Sequence, residues 1–236
     1  MFQRTTLQID KQRPIRSFVE RQGRISPVHR ELVAELWPQF GIPLSQQKID
    51  GSALFGRIAP VTLEIGFGNG HSLLSLAREN PQQDFIGVEV YKAGIAKLLV
   101  GIHELALTNI RIFCADAIEV LINCIHDQSL HKVQLFFPDP WPKARHHKRR
   151  IVQPAFTQLI ASKLNKEGVF HMATDWHDYA LQMLAVMEAQ DLWVNLAGTA
   201  KFIARPASRP ETKFEQRGKR LGYGVWDLVF RKNHNI

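Results

Sequence analysis

Cysteine is scarce in this chain: Cys114 and Cys124 are the two among 236 residues. They form neither a zinc-site spacing nor a disulfide framework, which suits a reducing, cytoplasmic setting. Long apolar runs are also missing, and none approaches the roughly 18 residues of a membrane-spanning helix. The opening Met1-Phe2-Gln3-Arg4-Thr5-Thr6 has no apolar stretch behind its basic residue, so no secretory signal is expected. There are no internal repeats, no low-complexity tracts, no G-x-S-x-G elbow and no clustered cysteines for a metal. What remains is ordinary globular composition, 45% hydrophobic and 22% charged, of a length that favours one large domain.

The formal charge of +8 is concentrated. Residues 1–30 carry Arg4, Lys11, Arg13, Arg16, Arg21, Arg24 and Arg30 against Asp10 and Glu20. Residues 143–150 carry Lys143, Arg145, Lys148, Arg149 and Arg150 with no acid. Residues 201–220 carry Lys201, Arg205, Arg209, Lys213, Arg217, Lys219 and Arg220 against Glu211 and Glu215. The rest of the chain is therefore acidic. One such run reads as a solvated face; three on an acidic body point to a polyanion, with nucleic acid favoured.

Residues 1–25 are rich in Gln and Arg, lack periodicity and read as a basic, mobile arm. Residues 26–236 read as a single domain that opens with a helix capped by Ser26-Pro27 and closed by Pro38 and Gly41. From Val61 short apolar runs alternate with amphipathic helices. Strands are expected at 61–65, 85–90, 110–114, 133–137 and 169–173, and helices near 71–79, 92–106, 117–125, 152–164 and 177–189. Runs at 193–196, about 200–204 and 225–230 read as further strands. Near-continuous apolar strands separated by helices indicate a doubly wound α/β fold. The expected sheet is mostly parallel and seven-stranded, with an antiparallel C-terminal strand.

The first strand runs into Gly66-Phe67-Gly68-Asn69-Gly70 and then a helix, a turn whose backbone passes close to a ligand. His71 stands where a dinucleotide fingerprint has its third glycine, and Glu64 precedes the loop, which suits a nucleoside without a pyrophosphate. Glu89 closes the next strand, about 20 residues on, where a carboxylate reaches ribose hydroxyls. Asp116 follows the third strand, either to meet an adenine amino group or simply as a helix cap. Acids at successive strand ends line the carboxyl edge where open α/β sheets bind ligands. This pattern resembles the Rossmann-like methyltransferases that use S-adenosylmethionine.

The fourth strand ends in Phe137-Pro138-Asp139-Pro140-Trp141-Pro142-Lys143, a stiff loop directly before Arg145-His146-His147-Lys148-Arg149-Arg150. A ring, a carboxylate and a phosphate-binding run together suit a base held by stacking and edge hydrogen bonds. For Trp141 alone, burial in a rigid turn is the better reading. With Ala173-Thr174-Asp175, Arg209-Pro210 through Gly218, and the N-terminal Arg16-Ser17-Phe18-Val19 and Arg21-Gln22-Gly23-Arg24, the chain resembles the bacterial tRNA (guanine-N7-)-methyltransferases.

That resemblance implies methyl transfer from S-adenosylmethionine to guanine N7 in the variable loop of tRNA. It implies a cofactor site of Glu64, Gly66, Gly68, Gly70, Glu89, Asp116 and Asp139, with Asp139 also catalytic. It implies Lys143, Asp175, Thr212, Lys213, Phe214 and Glu215 for substrate, and Arg145, His146, His147, Lys148, Arg149 and Arg150 for RNA. No metal and no membrane partner are expected, and monomer and homodimer both stay open. Locally, Asp175 reads as a helix cap or a substrate contact, His171 as a satisfied core residue, and Phe214 as a plug. Glu215, amid cations, suits a guanine edge or the fixing of a neighbouring arginine. Three other readings compete: a methyltransferase of exocyclic amines, which favours an Asp/Asn-Pro-Pro-aromatic loop, an RNA-binding protein on a decayed scaffold, and a nicotinamide oxidoreductase, against which the glycine spacing speaks.

Overall fold

The structure, a computed structural model, describes residues 17–18, 27–211, 215 and 224–233. Helix α1 (Pro27–Phe40) leads into the short strand β1 (Gly41–Ile42), and α2 (Gly51–Phe55) precedes the main alternation. There follow β2 (Val61–Ile65), α3 (His71–Glu79), β3 (Asp84–Val88), α4 (Lys92–Glu104), β4 (Ile110–Phe113) and α5 (Ala117–Asn123). Then come β5 (Leu130–Phe136), a 3₁₀ segment (Ala144–Arg149), α6 (Pro154–Lys163), β6 (Leu164–Thr174), α7 (His177–Glu188), β7 (Trp193–Asn195) and β8 (Trp226–Lys232).

The eight strands lie in the order β1-β4-β3-β2-β5-β6-β8-β7, and β8 alone runs against its neighbours. Side-chain alternation divides the core between the two faces of the sheet. Phe85, Ile110 and Ile112 pack with Leu36, Leu73, Leu98 and Ile102 of α1, α3 and α4. Ile86, Val88 and Phe113 point the other way, into a core with Val120, Phe156, Ile160, Tyr179 and Met183 of α5, α6 and α7. The chain leaves β2 towards β3 on one side and adds β5 on the other, so a crevice opens between β2 and β5 at the carboxyl ends, the switch point of a doubly wound sheet.

Two expectations change. The sheet has eight strands rather than seven, because Gly41–Ile42 pairs in parallel with Ile112–Phe113. Gly41 permits this: a Cβ there would sit 2.3 Å from the Trp37 ring. The run at 200–204 is not a strand. Gly198 before it and Ala200 at its start both adopt positive φ, and the chain makes a single bridge, Ile203 to Asp227, before leaving the sheet. The arm expected over 1–25 and the Ser26 cap lie outside the described residues except for Ser17 and Phe18. Among the described residues no helix is long and apolar enough to cross a membrane.

Candidate functional site

The crevice holds a cavity of about 400 Å³, walled by the β2–α3 loop, the ends of β3 and β4, and the loop after β5. Gly66, Gly68 and Gly70 all adopt positive φ, between +58° and +77°, which side chains rarely take. They serve two purposes. At Gly68 an added Cβ would meet no protein atom within 4 Å, so the loop floor is open to a ligand. At Gly70 it would lie 2.7 Å from Leu98 Cδ1, so this glycine lets α3 pack on α4. Gly70 also precedes the first turn of α3 without a side-chain cap, and His71 and Ser72 border the cavity.

Glu89 holds this loop in place. Its Oε2 accepts the Gly68 N–H at 2.7 Å, and its Oε1 accepts the N–H groups of Val90 (2.7 Å) and Tyr91 (3.0 Å). That clamp was not foreseen from the sequence, which suggested only a ligand contact. Glu64, in the middle of the sheet, is 2% exposed, and its Oε2 has no partner among the described residues. Burial, with the Glu89 charge adding to it, pushes its carboxyl up to about 8, and Lys132 only partly opposes this. Glu64 is therefore largely protonated at neutral pH. Asp116 caps α5, accepting the Ile118 N–H at 2.8 Å, and also borders the cavity.

Asp139 lies in the cavity wall between two residues of unusual backbone, Phe137 (φ +52°) and Trp141 (φ +46°). Each such conformation costs on the order of 1–3 kcal/mol and persists only where surroundings enforce it. The Phe137 N–H donates to Ala173 O at 2.7 Å, tying the loop to β6. Trp141 is not part of the cavity wall. Its Nε1–H donates to Ser17 O at 3.2 Å, the Arg149 guanidinium lies 4.8 Å above its ring, and His146 meets it edge-on. Ser17 and Phe18 themselves border the cavity, a role that a reading of this region as a mobile arm misses. The motif around them was the available signal.

The basic run splits by burial. Lys143, Arg145, Lys148 and Arg149 are exposed, while His146 and His147 are half-buried. Burial and the cations Arg145, Arg149, Lys143 and Lys148 lower the proton affinity of His146, favouring its neutral form. Arg150 corrects an expectation. It is buried and donates to Pro140 O (2.8 Å), Gln182 Oε1 (2.7 Å) and Asp178 Oδ2 (2.6 Å), so it braces the proline loop against α7 instead of facing RNA. Asp175 reaches the cavity wall; Lys143 does not.

Arg209, counted among the basic residues of the third segment, is fully buried. It donates to Asp227 (2.6 and 2.9 Å) and to Glu215 (2.7 and 3.1 Å). Of the two uses considered for Glu215, the structure shows the fixing of an arginine. His171 Nε2 lies 2.8 Å from Asp227 Oδ1, as a satisfied core histidine should, and burial, against the pull of Asp227, lowers its proton affinity. Thr212, Lys213 and Phe214 lie outside the described residues.

Residues 58–228 match the family model described as "Putative methyltransferase". The chain is 56% identical over 220 residues to the tRNA (guanine-N(7)-)-methyltransferase of Escherichia coli strain K12, covering 93% of this chain and 92% of that protein. The Shigella flexneri protein of the same name matches equally. Among solved structures, the 16S rRNA methyltransferase KamB superposes with a TM-score of 0.55 at 15% identity, covering 90% of this chain and 96% of that one. That likeness supports the fold. With sequence identity of this extent along almost the whole chain, the protein belongs to the tRNA (guanine-N(7)-)-methyltransferase family.

Proposed function

We propose that the protein transfers a methyl group from S-adenosylmethionine to N7 of a guanine in the variable loop of tRNA. The observation that carries this reading is one cavity in which the buried carboxyl of Glu64, with one oxygen unpartnered among the described residues, and an open glycine floor adjoin Asp139, beside the exposed cations of 143–149. The residues fit the cofactor: Glu64 would offer its orphan oxygen to an ammonium group, the Gly66–Gly68 backbone would leave room for the chain of the amino acid, and Glu89 and Asp116 would hold the ribose and base. When bound, S-adenosylmethionine supplies a sulfonium-activated methyl group.

Guanine N7 carries an in-plane lone pair and no proton, so this chain needs no general base for the transfer. Its work is placement, which in favourable cases contributes up to about 7–11 kcal/mol. Asp139, on its stiff loop, orients the guanine by accepting from N1–H and the exocyclic amine, and its negative charge stabilises the purine as it becomes cationic. Lys143, Arg145, Lys148 and Arg149 meet phosphates. Affinity for tRNA then falls with salt by roughly 0.7–0.9 log units per log unit of salt for each phosphate engaged.

Incubation with methyl-labelled S-adenosylmethionine and unmodified tRNA, followed by mapping of the labelled nucleotide, tests the reading directly. Label on an exocyclic amine or on no nucleotide overturns it. Asp139→Asn is expected to keep cofactor affinity while turnover drops by about 10²-fold or more, the scale of a lost oriented electrostatic contact. Full turnover in that variant removes Asp139 from the chemistry.

A further inference from the structure

Phe137 turns the chain out of β5 into the Asp139 loop, and it does so in a backbone conformation that an aromatic residue rarely adopts. Something outside the loop has to hold it. The Arg209 guanidinium carbon lies 5.7 Å from the Phe137 ring centroid and 5.8 Å from that of Phe136, within reach of both aromatic rings. Four of its N–H donors are used on carboxylates: Nε and one terminal nitrogen fork onto Asp227 of β8, and both terminal nitrogens reach Glu215. Asp227 is in turn fixed by His171 of β6, whose ring meets Phe136 edge-on at 5.0 Å. Arg205 adds a second cation 3.8 Å from Glu215 and donates to Arg209 O at 2.8 Å.

An apolar side chain of similar volume would fill a buried site at least as stably as an ion cluster commonly does. What an apolar residue cannot do is fix one orientation against two carboxylates and two rings at once; lysine, a point charge without a planar fork, cannot either. We infer that Arg209 is a positioning residue for the methyl transfer, holding Phe137 in its strained turn and thereby setting Asp139, and that Glu215 acts through Arg209. The inference rests on the functional reading above. It explains why a carboxylate sits within a cationic segment: Glu215 aims the arginine that supports the reaction loop.

The test is a double-mutant cycle on full-length protein, with turnover, cofactor affinity by calorimetry and melting temperature measured on each variant. Arg209→Lys is expected to lower turnover by about 10²-fold, the cost of roughly ångström-scale misplacement, with cofactor affinity within about threefold of wild type. Phe137→Gly removes both the ring and the strain at φ +52°, so it loses activity itself. In that background Arg209→Lys is expected to cost less than about tenfold more, because residues that act through one another are not additive. A merely structural role predicts the same fold loss in both backgrounds, and that result overturns the inference, as does turnover within threefold of wild type for Arg209→Lys. Should Arg209→Lys fail to fold, Glu215→Gln, which weakens one of the two anchors, takes its place in the cycle under the same criteria. Wild type serves as the control. No labelled guanine with wild type defeats the functional reading, whereas active wild type with additive variants defeats only the role of Arg209.

Discussion

Two groups of buried acids, one in the crevice and one between β6 and β8, are treated in opposite ways. In the crevice, Glu64 is buried with one oxygen unpartnered and a second carboxylate, Glu89, raising its pKa further. In the other group, Asp227 and Glu215 are equally buried, yet Arg209 and His171 meet them at 2.6–3.1 Å. Burying a polar group without a partner costs stability, so the first cluster makes sense as a place that a cationic ligand completes. The second is already complete and works as framework. What separates Glu64 from Asp227 and Glu215 is the unpartnered oxygen, not the type of residue.

The comparison is broken most severely by Asp227→Ala. It strands the Arg209 guanidinium on Glu215 and leaves His171 without its acceptor, and removing one partner of a buried pair typically costs about 3–5 kcal/mol. For a chain of this size that lowers the melting temperature by about 10 °C. A loss below 2 °C in a thermal scan at pH 7 would mean that the cluster is not framework.

Glu64→Gln sharpens the other half. Because folding raises the pKa of this carboxyl from 4.5 to about 8, the folded state holds its proton over a range where the unfolded chain has released it. The stability so contributed is present at low pH and is lost as pH rises from about 4.5 to 8. Glutamine has no such proton, so the variant should match wild type near pH 4.5 and gain on it progressively, by roughly 3–5 kcal/mol at pH 9. Denaturant titrations at several pH values check this; parallel stability curves refute it. The same substitution is expected to weaken cofactor binding by about tenfold, the scale of one hydrogen bond to a charged group. Stability and binding thus move in opposite directions at Glu64.

The elements of the fold were largely legible in the sequence because the strands buried on both faces are continuous apolar runs and their helices are long enough to show a period. β1 was not, since two residues carry no period, and 200–204 was misread because an apolar run says nothing about the positive-φ turn that feeds it. Gly66, Gly68, Glu64, Glu89 and Asp116 line the cavity as their places at strand ends suggested, whereas Gly70, counted with them, packs α3 on α4. What spacing cannot show is whether a charge is spent. Arg150 and Arg209 look like members of basic runs, and only their burial against Asp178, Asp227 and Glu215 removes them from the solvent face. Likewise the clamp of Glu89 on Gly68 joins residues 21 apart in sequence through backbone N–H groups, which have no signature in residue type.

The mildest test lies in two adjacent arginines. Arg150→Ala removes a buried guanidinium with three acceptors and should lower stability by about 1–3 kcal/mol while leaving the salt dependence of tRNA binding nearly unchanged. Arg149→Ala does the reverse. It loses an exposed cation over the Trp141 ring, a contact at such sites of about 0.5–1 kcal/mol, so the fold barely notices. If Arg149 meets a phosphate, the slope of log affinity against log salt should shrink by about 0.7–0.9. Fluorescence titrations between low and moderate salt resolve that change. An unaltered slope for Arg149→Ala, or a reduced one for Arg150→Ala, would show that burial has not sorted these two charges into contact and brace.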